Sequence, residues 1–160
     1  MASIQYDEIY SRFFTKVEAY DLIDEDLEDM SEEFMCNWLH SSVFEPYIRR
    51  LFKTVSMDDD EAVLDFEMKY EIDEGTDTEF VCNLLSWGMI YNWVTPKVYS
   101  ITNIVQMFSD SDKKWYSQAT HLSQLQSVKA DAENKMRSLI RDRGYLYNQY
   151  LDGNTPLRRQ

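Results

Sequence analysis

Glycine and proline punctuate a fold, and this 160-residue chain has four glycines and three prolines. Sandwiches and barrels use both residues in their many tight turns, so those folds are disfavoured, and the sequence holds no glycine-rich phosphate loop. Hydrophobic periodicity has to organise the chain instead. Tyr6, Ile9, Tyr10, Phe13 and Val17 recur at three- and four-residue steps and predict a first helix, with Ser3 as its cap. An acidic loop, Tyr20 to Asp29, follows. A second helix is expected from Asp29 or Ser31, with Phe34, Met35, Trp38, Leu39 and Val43 inward, until Pro46 interrupts it and a last turn runs through Tyr47, Ile48, Leu51 and Phe52.

Beyond Phe52 the period changes to two. Leu64, Phe66, Met68, Tyr70 and Ile72 alternate with polar neighbours, which predicts a half-buried strand. With Lys53–Met57 as partner and Asp58–Glu61 as turn it makes a β-hairpin lacking the usual Asn-Gly or Asp-Gly. A third helix, Glu79 to Val94 with Asp77 or Thr78 as cap, is apolar on nearly every face and is the expected hub of the core. Thr95-Pro96 is expected to restart the chain into a short fourth helix through Val98, Ile101, Ile104, Val105 and Phe108, and a turn at Ser109–Asp112 leads to a long last helix from Tyr116 to Leu151. The fold class predicted is mainly α: a bundle of four to five helices with one small antiparallel hairpin. Residues 1–152 form one domain in this reading, and 153–160 a flexible polar tail.

The apolar fraction, 44%, excludes wholesale disorder despite a net charge of −13. That charge is uneven: residues 1–80 hold 23 acidic and 6 basic side chains, residues 81–160 hold 6 and 10. An acidic protein gains nothing from counterion release on a phosphate backbone, so ordinary nucleic-acid binding is disfavoured, whereas such polarity suits head-to-tail contact between copies. No signal peptide is expected from MASIQYDEIY, and Phe80 to Pro96 carries Asn83, Ser86, Gly88, Asn92 and Thr95, which argues against a membrane span.

Catalytic raw material is thin. The two cysteines, Cys36 and Cys82, have no CxxC spacing and read as buried thiols. Cys36 and His40 share a helix face, which permits a thiol–imidazole pair or half a metal site, but a zinc site would need Cys82 and His121 to converge on them. Asp58–Glu61 and Asp24–Asp26 suggest calcium, yet Val63 and Asp29 stand where a calcium loop requires glycine, so both read as solvated turns. No enzyme, cofactor or metal is expected. The Tyr- and Arg-rich end, Arg137, Arg141, Arg143, Tyr145, Tyr147 and Tyr150, has the residue types that interfaces favour and is the candidate intermolecular surface.

Several segments are familiar together: IQYDEIYSRFFTKVEAYD, NWLHSSVFEPYIRRLF, FVCNLLSWGMIYNWVTPKV, WYSQATHLSQL and LIRDRGYLYNQYL. Their order and spacing resemble small proteins encoded among the structural genes of tailed bacteriophages and prophages of Gram-positive bacteria. By analogy the chain is similar to head–tail connector adaptors, mostly helical neck proteins that join the portal to the tail. The resemblance implies a ring of copies, usually twelvefold, that contacts the portal protein and a downstream neck or tail protein, is assembled in the host cytoplasm and resides in the virion neck. DNA would pass without specific binding, and Asp58, Asp59, Asp60 and Glu61, or the 20–29 loop, would face the lumen. Stopper or tail-completion roles stay open, as does an acidic DNA mimic that inhibits a host nuclease, or a regulatory adaptor outside the assembly.

Overall fold

The computed structural model describes residues 1–19, 32–107 and 112–146. Among them lie three strands, β1 (Ala2–Gln5), β2 (Phe52–Asp58) and β3 (Val63–Met68), and five helices, α1 (Tyr6–Ala19), α2 (Glu32–Val43), α3 (Pro46–Arg49), α4 (Glu74–Met107) and α5 (Asp112–Leu146). The fold is mainly α. The expected 20–29 loop, the turn after Phe108, the tail 153–160, Tyr147 and Tyr150 lie outside the described residues.

The sheet is antiparallel with order β1-β3-β2, so the hairpin has a third strand that the sequence reading lacked. Ser3 sits in β1, opposite Asp65, and its hydroxyl donates to that carboxylate; it caps no helix. The chain passes from β1 straight into α1, with the Tyr6 amide donating to the Ala62 carbonyl at 2.8 Å. Four residues, 59–62, close the hairpin between the paired Asp58 and Val63. Asp58 Oδ1 accepts from the amides of Asp60 and Glu61, both at 3.0 Å, and Ala62 takes the left-handed backbone (φ 54°) that a glycine would otherwise supply. β3 buries Leu64, Phe66 and Met68 and ends there. Tyr70 and Ile72, expected as further inward positions, are exposed, because the chain leaves the sheet to reach the α4 cap.

That cap is Asp73, earlier than expected. Its carboxylate accepts from the Thr76 amide (2.9 Å) and the Thr76 hydroxyl (2.6 Å). α4 then runs unbroken through Pro96, where a restart was expected. Proline in a helix interior costs about 3 kcal/mol through a lost hydrogen bond and a steric clash. Packing on both sides of it offsets that cost: Trp93, Val94 and Val98 are buried.

α4 is the hub. Val81, Leu84, Leu85, Met89, Ile90, Trp93 and Val94 join one cluster with the inward faces of α1, the sheet and α5. On α2 the inward set is narrower than predicted, since Phe34 is exposed while Leu39, Ser42 and Val43 are buried. Gly88 lets α2 approach: a Cβ there would stand 2.8 Å from both Cβ and Oγ of Ser42. α5 lies antiparallel to α4. Arg143 meets Asp77, Met136 lies beside Gly88, and Lys129 covers Tyr91 and Tyr99, so partner numbers run in opposite directions. At 1.5 Å per residue, each helix of this pair is about 50 Å long.

Candidate functional site

The side chains with most chemistry gather where the hairpin turn meets the helices. Cys36 and His40 stand one turn apart on α2, so both face the same way. Asp59, the first residue of the turn, reaches them: its Oδ1 lies 2.8 Å from His40 Nε2 and 3.7 Å from Cys36 Sγ. Tyr6, at the start of α1, donates its hydroxyl to the same oxygen at 2.8 Å. The donor atoms of Cys36, His40 and Asp59 all lie within 4.8 Å of one another, the one such group of three among the described residues. The Asp59 side chain is 54% exposed and that of His40 34%, so solvent reaches the cluster.

The electrostatics follow from this geometry. The bonds from His40 and then Tyr6 hold the Asp59 carboxyl below the usual carboxylate range. Burial, followed by the Asp59 charge, raises the Cys36 thiol. A nucleophilic triad passes its proton from thiol to imidazole, with the carboxylate behind the ring. Here the thiol and the imidazole both address the carboxylate, an order of contacts different from that of such a triad.

Sequence reasoning saw half of this cluster. It paired Cys36 with His40 but looked to Cys82 and His121 for the rest. Cys82 is buried on α4, where burial pushes its thiol up to about 11. It lies beyond the three-residue group, as does the partly buried His121. Cys36 is only partly buried, contrary to expectation. Asp59 was read as one charge of a solvated turn, and no local pattern tied it to α2.

The other candidate residues are dispersed. Asp58 caps its own turn, while Asp60 and Glu61 are exposed. Arg137 is exposed and pairs with Glu133 one turn back on α5, at 2.6 Å; Arg141, also exposed, bonds Ser138 and Asp142 of the same helix. Tyr145 is 70% exposed. Arg143 does not belong with them. It is buried, donates to Asp77 at 2.6 Å and to the Tyr70 carbonyl at 2.8 Å, and stacks its guanidinium 4.6 Å from the Phe80 ring centre. The contacts of this arginine lie inside the chain, unlike those of the exposed Arg137 and Arg141.

Beneath it, Arg50, Leu51, Met68, Tyr70, Ile140 and Arg143 line a cleft of about 420 Å³. No described helix is long and apolar enough to cross a membrane. Comparison with protein-family models, curated proteins and solved structures finds no match for this chain.

Proposed function

We propose that this chain is a virion structural protein, an adaptor of the head–tail connector that assembles with its own copies into a ring between portal and tail. The observation that carries the reading is the separation of charge between the last helix and the end of the molecule that holds the hairpin turn and α2. The exposed arginines of α5, Arg137 and Arg141, find partners only on their own helix among the described residues, while acidic side chains gather at the start of α2, Glu32 and Glu33, and in the hairpin turn, Asp58 to Glu61. One copy thus offers the next two exposed arginines, which would exchange their partners on α5 for the acidic turn of a neighbour, and such contacts steer assembly. In a ring, the exposed Asp60 and Glu61 face the channel and keep the genome from adhering as it passes, because phosphate binding grows with each lysine or arginine presented.

Sedimentation and negative-stain microscopy of the full chain test this. Rings are expected at low salt. They should weaken as ionic strength rises, since exposed pairs are screened beyond about 10 Å at 0.1 M. Replacing Arg137 and Arg141, both exposed on α5, by glutamate should leave the circular dichroism spectrum unchanged and abolish assembly, whereas deleting the chain from Gly144, which keeps the Arg143–Asp77 pair and both arginines, should fold and assemble more weakly for want of the tyrosine-rich end. A chain that stays monomeric at all salt concentrations, or forms one-to-one complexes with a nuclease, refutes the connector reading; the latter outcome favours the DNA mimic.

A further inference from the structure

We propose that Cys36, His40 and Asp59 form a binding site for one divalent transition-metal ion of the zinc class. The donor set is the first reason: a thiolate sulfur, an imidazole nitrogen and a carboxylate oxygen are the three ligand types that zinc takes in proteins, and their mixture is poorly suited to calcium or magnesium. Placement is the second. Two donors come from one face of α2 and the third from the hairpin turn, and all three donor atoms fit within 4.8 Å. A tetrahedral zinc ion, with bonds of about 2.0–2.3 Å, sets its ligands about 3.3–3.8 Å apart. The Cys36–Asp59 separation, 3.7 Å, already has that spacing, and the 2.8 Å His40–Asp59 contact has to open by about half an ångström.

Support from the surroundings is the third reason. Asp58 caps the turn that carries Asp59, and Tyr6 holds the Asp59 carboxylate from α1, so the third donor is positioned before any ion arrives. Coordination replaces the Cys36 thiol proton with the metal and releases that proton to water. The bound ion would clamp the hairpin turn to α2, and because the cluster is partly exposed it would keep a position for water or an outside ligand. This site does not depend on the connector reading.

The test titrates the reduced full-length protein with Co²⁺ and then displaces it with Zn²⁺. One equivalent per chain is expected, with tetrahedral visible absorption and a sulfur-to-cobalt charge-transfer band. Cys36→Ser should abolish that band, and Asp59→Asn, on an exposed turn that tolerates the change, should weaken binding at least about tenfold. Cys82→Ala should leave the band intact. Zn²⁺ should also shield Cys36 from alkylation, read by mass spectrometry. An octahedral spectrum without the sulfur band, binding unchanged in Asp59→Asn, or no shielding of Cys36 overturns the proposal, since the abundant surface carboxylates alone would then account for any metal taken up.

Discussion

The hairpin is fastened to the helices at both of its ends, and the two fastenings differ in their access to water. At the turn, Asp59 accepts from Tyr6, His40 and Cys36 with half of its side chain exposed. At the opposite end, just past β3, Arg143 joins Asp77 and the Tyr70 carbonyl with side-chain exposures of 9% and 6% for the ion pair. In the sealed pair each charge depends on the other, because water cannot substitute for a lost partner. In the open cluster water can, so its members can change partners at small cost. Among the described residues Arg143 Nη1 has no hydrogen-bond partner although it is buried, a cost the enclosed pair sustains.

The sealed end should therefore show the largest effect when broken. Arg143→Met leaves the buried Asp77 carboxylate without its countercharge, with the Ile72 amide as its remaining donor from outside α4, and should destabilise by about 3–5 kcal/mol in urea unfolding. Adding Asp77→Asn removes the stranded charge, so the double variant should recover part of that loss. A single variant within about 1 kcal/mol of the parent would mean that the pair is solvated in solution.

Gly88→Ala comes next, and it separates the two ends. The new Cβ meets Ser42 at 2.8 Å and pushes on α2, which carries Cys36 and His40, while Asp77 and Arg143 lie several turns away. Overpacking of this kind costs about 1–3 kcal/mol, against a gain in helix propensity of about 1 kcal/mol. A net loss is expected, relieved by Ser42→Gly. If Gly88→Ala stabilises the protein, the α2–α4 approach is looser than 2.8 Å implies.

The two ends also differ in how far they could be foreseen. The helical faces of α1, α4 and α5 were legible because Ile9, Phe13, Leu84, Met89, Leu125, Val128 and Ala132 repeat at helical spacing, and the β3 alternation over Leu64, Phe66 and Met68 was equally plain. β1 was not. Four residues with one buried side chain, Ile4, carry too little pattern, and Ser3 imitates a helix cap; only pairing with β3, some sixty residues away, makes the segment a strand. Pro96 misled for a related reason, since tertiary packing outweighs a local breaker. Within the candidate site, the Cys36–His40 spacing is local and was read correctly as a shared face. Asp59 joins them across 19 residues or more, and Arg143 finds Asp77 across 66, distances at which no periodicity operates.

At the open cluster, Asp59→Asn should change stability by less than about 1 kcal/mol, because the amide keeps a hydrogen-bonding oxygen and water replaces the lost charge. Urea midpoints of parent and variant in metal-free buffer measure this. A loss approaching that of Arg143→Met would erase the contrast between the ends and make the turn a structural keystone.

The smallest effect belongs to a third polar link, between α1 and α4, where Arg12 binds both carboxylate oxygens of Glu79 with side chains 35% and 65% exposed. The bond from Arg12 holds the Glu79 carboxyl below its usual range. A carboxyl depressed in the folded state contributes stability that is full above its unfolded pKa, about 4.3, and is lost as pH falls through the folded value. Exposure limits the contribution to under about 1 kcal/mol. Glu79→Gln should accordingly lower the urea midpoint slightly at pH 7, and the gap should close as acidification carries the Glu79 carboxyl through its depressed folded pKa. A gap that does not narrow on acidification would assign the effect to packing of the Arg12 stem rather than to charge, and solvent access would then not be what ranks the three links.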